Sequence, residues 1–147
     1  MTYSSRIIGV AMQKICVIDG QGGGIGSTII KHLKTSYGER YEILALGTNA
    51  IATANMLKAG ANRGASGQNA IVRTACQVDV IIGPISIVLA NAMLGELTPA
   101  MAEAVASSPA RKILLPISQE NVTVVGADSA PLPRLIETML ADRLLGG

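Results

Sequence analysis

Residues Ile15–Asp19 form a short apolar run that passes into Gly20-Gln21-Gly22-Gly23-Gly24-Ile25-Gly26-Ser27-Thr28, with five glycines between positions 20 and 26 and a helical apolar period behind them. A strand that feeds a glycine loop and then a helix constrains the fold more than any other feature of the chain. The strand delivers the loop to one edge of a sheet, and the glycines remove side chains that would block a ligand. The helix then aims its first N–H groups and positive dipole end at an anion. Two glycines suffice for a tight turn; five point to a phosphate approaching bare backbone.

The same alternation continues along the chain, with Gly, Pro and Asn between the segments. Strands are expected at 14–19, 41–46, 78–82 and 112–117, and a short return at 122–125 is close enough to form an antiparallel edge. Helices are expected at 25–36, from the Asn49 region through Lys58, at 68–76, across 86–107 with a break at Thr98-Pro99, and at 132–145. Such a βαβα series predicts an α/β fold, a three-layer Rossmann-like, mostly parallel sheet with helices on both faces. The expected strand order is 2-1-3-4 with the antiparallel strand at the edge. Residues 12–147 read as one domain, residues 1–11 as an N-terminal extension, and Met12 as a candidate start.

Composition narrows the partners. The chain has 147 residues, 49% of them hydrophobic and 15% charged, with no Phe or Trp. So little charge leaves apolar surface to cover, which points to a homodimer. The net charge is +2 and the basic residues are scattered, so no nucleic-acid partner is expected. The longest uncharged run, from Asp79 to Glu96, is too short for a membrane helix and carries Gly83-Pro84, so no membrane partner is expected either. Cys16, Cys76 and the single His32 fit no metal spacing. With no secretory signal in view, a cytoplasmic location follows.

In an open α/β sheet the ligand lies beyond the carboxyl ends of the strands, where the order reverses. That rule gathers Asp19, Gly20, Gln21, Gly22, Gly23, Gly24, Ile25, Gly26, Ser27, Thr28, Thr48, Asn49 and Gly83 as candidate binding residues, with Ser86, Ser118 and Gln119 on the same cleft floor. Three nucleotide-loop patterns each fail on this set. Gly20, Gly24, Ile25 and Gly26 match the G-x-x-x-G-I-G turn of short-chain dehydrogenases, but no Tyr-x-x-x-Lys pair follows. An acid at the end of the second strand, which would hold ribose hydroxyls, is replaced by Gly47-Thr48-Asn49. A P-loop would need a lysine where Ser27 stands. The glycine run of tubulin-like GTPases resembles Gly22–Gly26, in a chain too short for that fold.

The expected ligand is therefore a small phosphorylated molecule, with NADP, NAD or another nucleotide all open as cofactor and no catalytic residue assigned. Alternatives are an enzyme on a phosphorylated metabolite, with Asp19, Asn49 or Glu96 as acid–base group, and a non-catalytic oligomeric interaction module that presents an apolar helix over 86–97 and in which the glycine loop is a purely structural turn. Asp19 is also suited to bracing the loop by accepting N–H bonds. Glu96 reads as a buried base with a raised pKa or, more ordinarily, as half of a salt bridge or an exposed kink. Arg63 and Ser66 read as an anion lid or as plain surface loop.

The strings Asp19-Gly20-Gln21-Gly22-Gly23-Gly24-Ile25-Gly26, Ala45–Asn49, Ile82–Ile85 and Lys112–Pro116 resemble a family of short bacterial proteins known as domain of unknown function 3842. The resemblance runs from about Met12 to about Gly126. It implies a bacterial, cytoplasmic origin and no particular activity, and it leaves residues 1–11 outside the family's extent.

Overall fold

The computed structural model describes residues 12–127 and 129–141; the expected extension at 1–11 and the end of the last helix lie outside them. Five strands, β1 (Lys14–Asp19), β2 (Glu42–Gly47), β3 (Arg63–Ser66), β4 (Val80–Pro84) and β5 (Arg111–Leu115), pair in the order β3-β2-β1-β4-β5. Every pairing is parallel. Five helices join and follow them: α1 (Gly24–Tyr37), α2 (Ala50–Lys58), α3 (Gln68–Ala75), α4 (Pro99–Ser107) and α5 (Leu132–Ala141).

Alternate residues of the central strands point to opposite faces, so each feeds two cores. On one face Ile15, Val17, Ile43, Ala45, Val80 and Ile82 pack under α1, α2 and α5. On the other, Cys16, Ile18, Leu44, Leu46 and Ile81 pack under α3, α4 and the segment between β4 and α4. These are the three layers expected of a Rossmann-like sheet. The chain winds outward from β1 through β2 to β3, then returns to β4 and winds the other way. The order therefore reverses between β1 and β4, which fixes the switch point.

The four strands expected from sequence keep their neighbours, but the sheet differs from expectation at both edges. β3 is added outside β2, and no antiparallel strand forms at 122–125. Arg63-Gly64-Ala65-Ser66 has no apolar alternation and is exposed at every position; its backbone pairing with β2 makes it a strand. Residues 122–125 carry three valines, yet Val125 is 94% exposed and no strand among the described residues pairs with them.

The apolar stretch 86–107 is not one long helix. A 3₁₀ turn covers Ile85–Val88, and α4 starts at Pro99 with Thr98 as its cap, the Thr98 hydroxyl accepting from the Met101 N–H at 3.2 Å. Between them residues 89–97 form a looped strap. It is closed where the Asn91 N–H donates to the Leu97 carbonyl at 2.7 Å and the Leu97 N–H to the Ala92 carbonyl at 3.1 Å. Ala92, Met93 and Leu97 are buried against the second core while Leu94 is exposed, so the strap replaces the apolar interface helix expected at 86–97. No described helix is long and apolar enough to cross a membrane.

Candidate functional site

The loop between β1 and α1 is held from inside by Asp19. One carboxylate oxygen accepts the Gly20 N–H at 2.8 Å and the other the Gly26 N–H at 2.7 Å. Burial pushes this carboxyl above the usual aspartate range, the amides of Gly26, Gly20 and Ile25 pull it back, and the charge of Glu96 adds to the rise. Asp19 therefore caps α1 in place of a side chain at the N-cap, where Gly23 stands in left-handed backbone at φ 72°. Its bracing role is the one the geometry displays.

The glycines divide by function. A Cβ on Gly23 would come within 2.8 Å of the Ala52 carbonyl, and one on Gly26 would strike Met56, so these two permit close packing against α2. Gly83 is likewise a packing residue, because its missing side chain makes room for the Ile18 carbonyl and Ile87. It is buried in β4 and does not face the cleft as expected. Gly22 and Gly24 have open space around them. Their N–H groups have no partner among the described residues.

A second carboxylate reaches the loop from the strap. Glu96 Oε1 accepts from Thr48 Oγ1 at 2.6 Å, Asn49 Nδ2 at 2.8 Å and the Gln21 N–H at 2.9 Å. The Thr48 hydroxyl does most to hold Glu96 below the usual carboxylate range; burial opposes it, and the Gln21 amide and Asn49 side chain assist. Glu96 is thus neither a base with a raised pKa nor, among the described residues, a salt-bridge partner; it stands half-buried on the irregular strap. Asn49 also donates to the Gln21 carbonyl at 2.9 Å and Asn55 to the Gly22 carbonyl at 2.8 Å, so α2 grips the outer side of the loop.

Two concavities flank this assembly. A small cavity of about 90 Å³ lies on the β4 side, lined by Asp19, Gln21, Ile25, Ser86, Met93 and residues 117–120. A larger groove of about 320 Å³ runs between α1 and α2, lined by Gly22, Gly24, Ser27, Lys31, Asn55, Lys58 and Ala59. Ser27 lines that groove, and its Oγ, closed off from solvent, has no hydrogen-bond partner. The Lys31 and Lys58 ammonium groups have no ion-pair partner among the described residues.

Of the candidates from sequence, Asp19, Gly20, Gln21, Thr48 and Asn49 are joined in one hydrogen-bonded unit, and Gly22, Gly24 and Ser27 face the groove beside it. Thr28 turns away, its hydroxyl donating to the Gly24 carbonyl at 2.9 Å. Arg63 pairs with Glu42 at 3.2 Å, at the start of β3 and so away from the strands' carboxyl ends, which removes it as an anion lid. Ser66 donates to Thr53 at 2.7 Å. Sequence reasoning missed Lys31, Asn55 and Lys58, which gather only when α1 and α2 lie side by side; their helical spacing was the available signal. No group of three or more metal-ligating side chains occurs among the described residues.

The family model for the domain of unknown function DUF3842 matches residues 14–144. The chain belongs to this family. The match takes in all five strands and α1–α5, so the DUF3842 domain includes the loop, the strap and the α1–α2 groove together. Comparisons with curated proteins and with solved structures gave no significant match.

Proposed function

We propose that this DUF3842 protein binds a small phosphorylated ligand, with the phosphate in the groove between α1 and α2. The observation that carries the reading is the convergence on one groove of the open Gly22 and Gly24 amides with the Lys31 and Lys58 ammonium groups, a set of donors that an anion would satisfy. Ser27 lines the same groove, and its hydroxyl has no partner of its own. The inner amides of the loop are already taken by Asp19 and Glu96. The phosphate therefore goes to the outer side, toward Lys31 and Lys58.

Titration of ¹⁵N-labelled protein with inorganic phosphate and pyrophosphate tests the reading. The amide signals of Gly22, Gly24 and Ser27 shift in saturable fashion, and Lys31→Ala or Lys58→Ala weakens the binding several-fold. Shifts confined to other residues, or affinities indifferent to both lysines, would remove the site.

A further inference from the structure

The β2 end of the site carries the acid that the sequence lacked there. In nucleotide-binding sheets with this strand order, ribose hydroxyls are held by a carboxylate at the end of β2, and Gly47-Thr48-Asn49 offers none. Gly47 has no room for a side chain, since a Cβ would strike Thr53 and come within 2.7 Å of the Asn49 carbonyl. The strap after β4 supplies Glu96 to that spot instead, bonded to Thr48 and Asn49 themselves.

We infer that Glu96 is the acceptor for a ribose 2′,3′-diol, and that the phosphorylated ligand is a ribonucleoside monophosphate. This rests on the phosphate reading above. Three donors converge on Oε1 and fix the carboxylate's orientation, while Oε2 has no partner among the described residues and Glu96 is only half-buried. A diol needs such an oriented acceptor with a lone-pair face left open. The strap adopts costly backbone to put it there. Asn91, Met93 and Leu94 have φ of 68°, 60° and 56°, left-handed values that disfavour residues with a Cβ.

The placement suits a single nucleotide. Gln21, whose N–H binds Glu96, directly precedes Gly22, whose N–H is open on the phosphate side. The charges are sorted accordingly, lysines toward the phosphate and the carboxylate toward the hydroxyls. Met93 also covers Gly20, its sulfur 2.5 Å from where a Cβ would stand. That closes the path over the first glycine by which a dinucleotide would cross to the β4 side. A carboxylate at the diol also rejects a 2′-phosphate by like-charge repulsion.

The experiment compares the four ribonucleoside 5′-monophosphates, their 2′-deoxy counterparts, adenosine 2′,5′-bisphosphate and inorganic phosphate on wild-type protein and on Glu96→Gln. At least one ribonucleotide is expected to bind wild type about tenfold or more tighter than its deoxy form, as loss of a hydrogen bond to a charged group predicts. In Glu96→Gln that ratio collapses toward one and the bisphosphate gains affinity relative to the ribonucleotide. Equal binding of ribo and deoxy forms by wild type overturns the diol assignment alone and needs no variant to fold. A ratio that survives Glu96→Gln overturns it as well. Absence of binding by every phosphate compound overturns the phosphate reading and this inference together.

Discussion

The Thr48 hydroxyl and the Glu96 carboxylate, 48 residues apart in sequence, meet at 2.6 Å across the mouth of the glycine loop. This contact ties the strap after β4 to the loop after β2, and through the Gln21 amide to the loop after β1. Three separate strand ends are thereby locked into one surface.

Thr48→Val removes the hydroxyl and keeps the shape, so it tests the lock directly. A hydrogen bond to a charged group contributes about 1.5–3 kcal/mol in favourable settings, and partial exposure of Glu96 reduces this to about 1 kcal/mol. The expected result is a loss of that size in urea unfolding. Hydrogen exchange should quicken at Asn91 and Leu97, whose N–H groups close the strap. Unchanged protection at those two amides would show that the apolar contacts of Met93 and Leu97 hold the strap alone.

Acid should loosen the same contact. Because Glu96 is held below the usual carboxylate range, the folded state binds its proton less readily than the unfolded chain does. The stability it contributes is complete above the unfolded value and is lost as pH falls through the depressed folded one. Glu96→Gln, which has no such charge to lose, should therefore show a shallower fall in stability below the ordinary glutamate range. Parallel acid profiles for variant and wild type would contradict this.

The glycines of the loop predict opposite outcomes for one kind of change. Gly23→Ala places a Cβ against the Ala52 backbone at left-handed φ, and overpacking with backbone strain costs about 2 kcal/mol or more. Gly24→Ala meets nothing and lies in helical backbone, where alanine is better than glycine by up to about 1 kcal/mol. Thermal unfolding of the two variants separates them; a similar loss in both would mean that position 24 excludes a side chain as position 23 does.

How far the sequence announced all this depended on where the signal lay. β1 and β4 were legible because central parallel strands are buried on both faces and read as unbroken apolar runs. β3 was not, since Arg63–Ser66 is a strand by virtue of its pairing with β2 and carries no pattern of its own. The strap misled for a related reason: Leu89, Ala92, Met93 and Leu97 are apolar at spacings a helix also allows, and the left-handed residues that break it are not glycines except for Gly95. The glycine loop was visible as a motif, but its occupants were not. Asp19 could be suspected as a brace from its position at the strand end, whereas nothing local to Glu96 marks Thr48 as its partner.

The two cysteines differ sharply in environment. Cys16 is fully buried in β1, and burial pushes its thiol far above the ordinary range; Cys76 is exposed after α3. Since the thiolate is the reactive form, native protein should consume one equivalent of a thiol reagent quickly, at Cys76, and the second only on unfolding. Mass spectrometry of the labelled peptides checks this, and early modification of Cys16 would mean that β1 opens in the native state.

Asp19 gives the last prediction, and its sign is opposite to that of Glu96. Burial raises its carboxyl in the folded state, so the folded chain holds a proton over a range where the unfolded chain has already released it. Its contribution to stability therefore falls as pH rises from the ordinary aspartate value through the raised one. Asp19→Asn abolishes that slope, yet it also turns an NH₂ group toward one of two amides, those of Gly20 and Gly26, that now donate to carboxylate oxygens. Leaving one buried donor unpaired costs about 1–3 kcal/mol. The variant should thus be less stable than wild type at acid pH, with the gap narrowing as the pH rises through the window. Urea unfolding across a pH series measures it, and a gap that widens instead would mean that Asp19 stays ionised throughout the range.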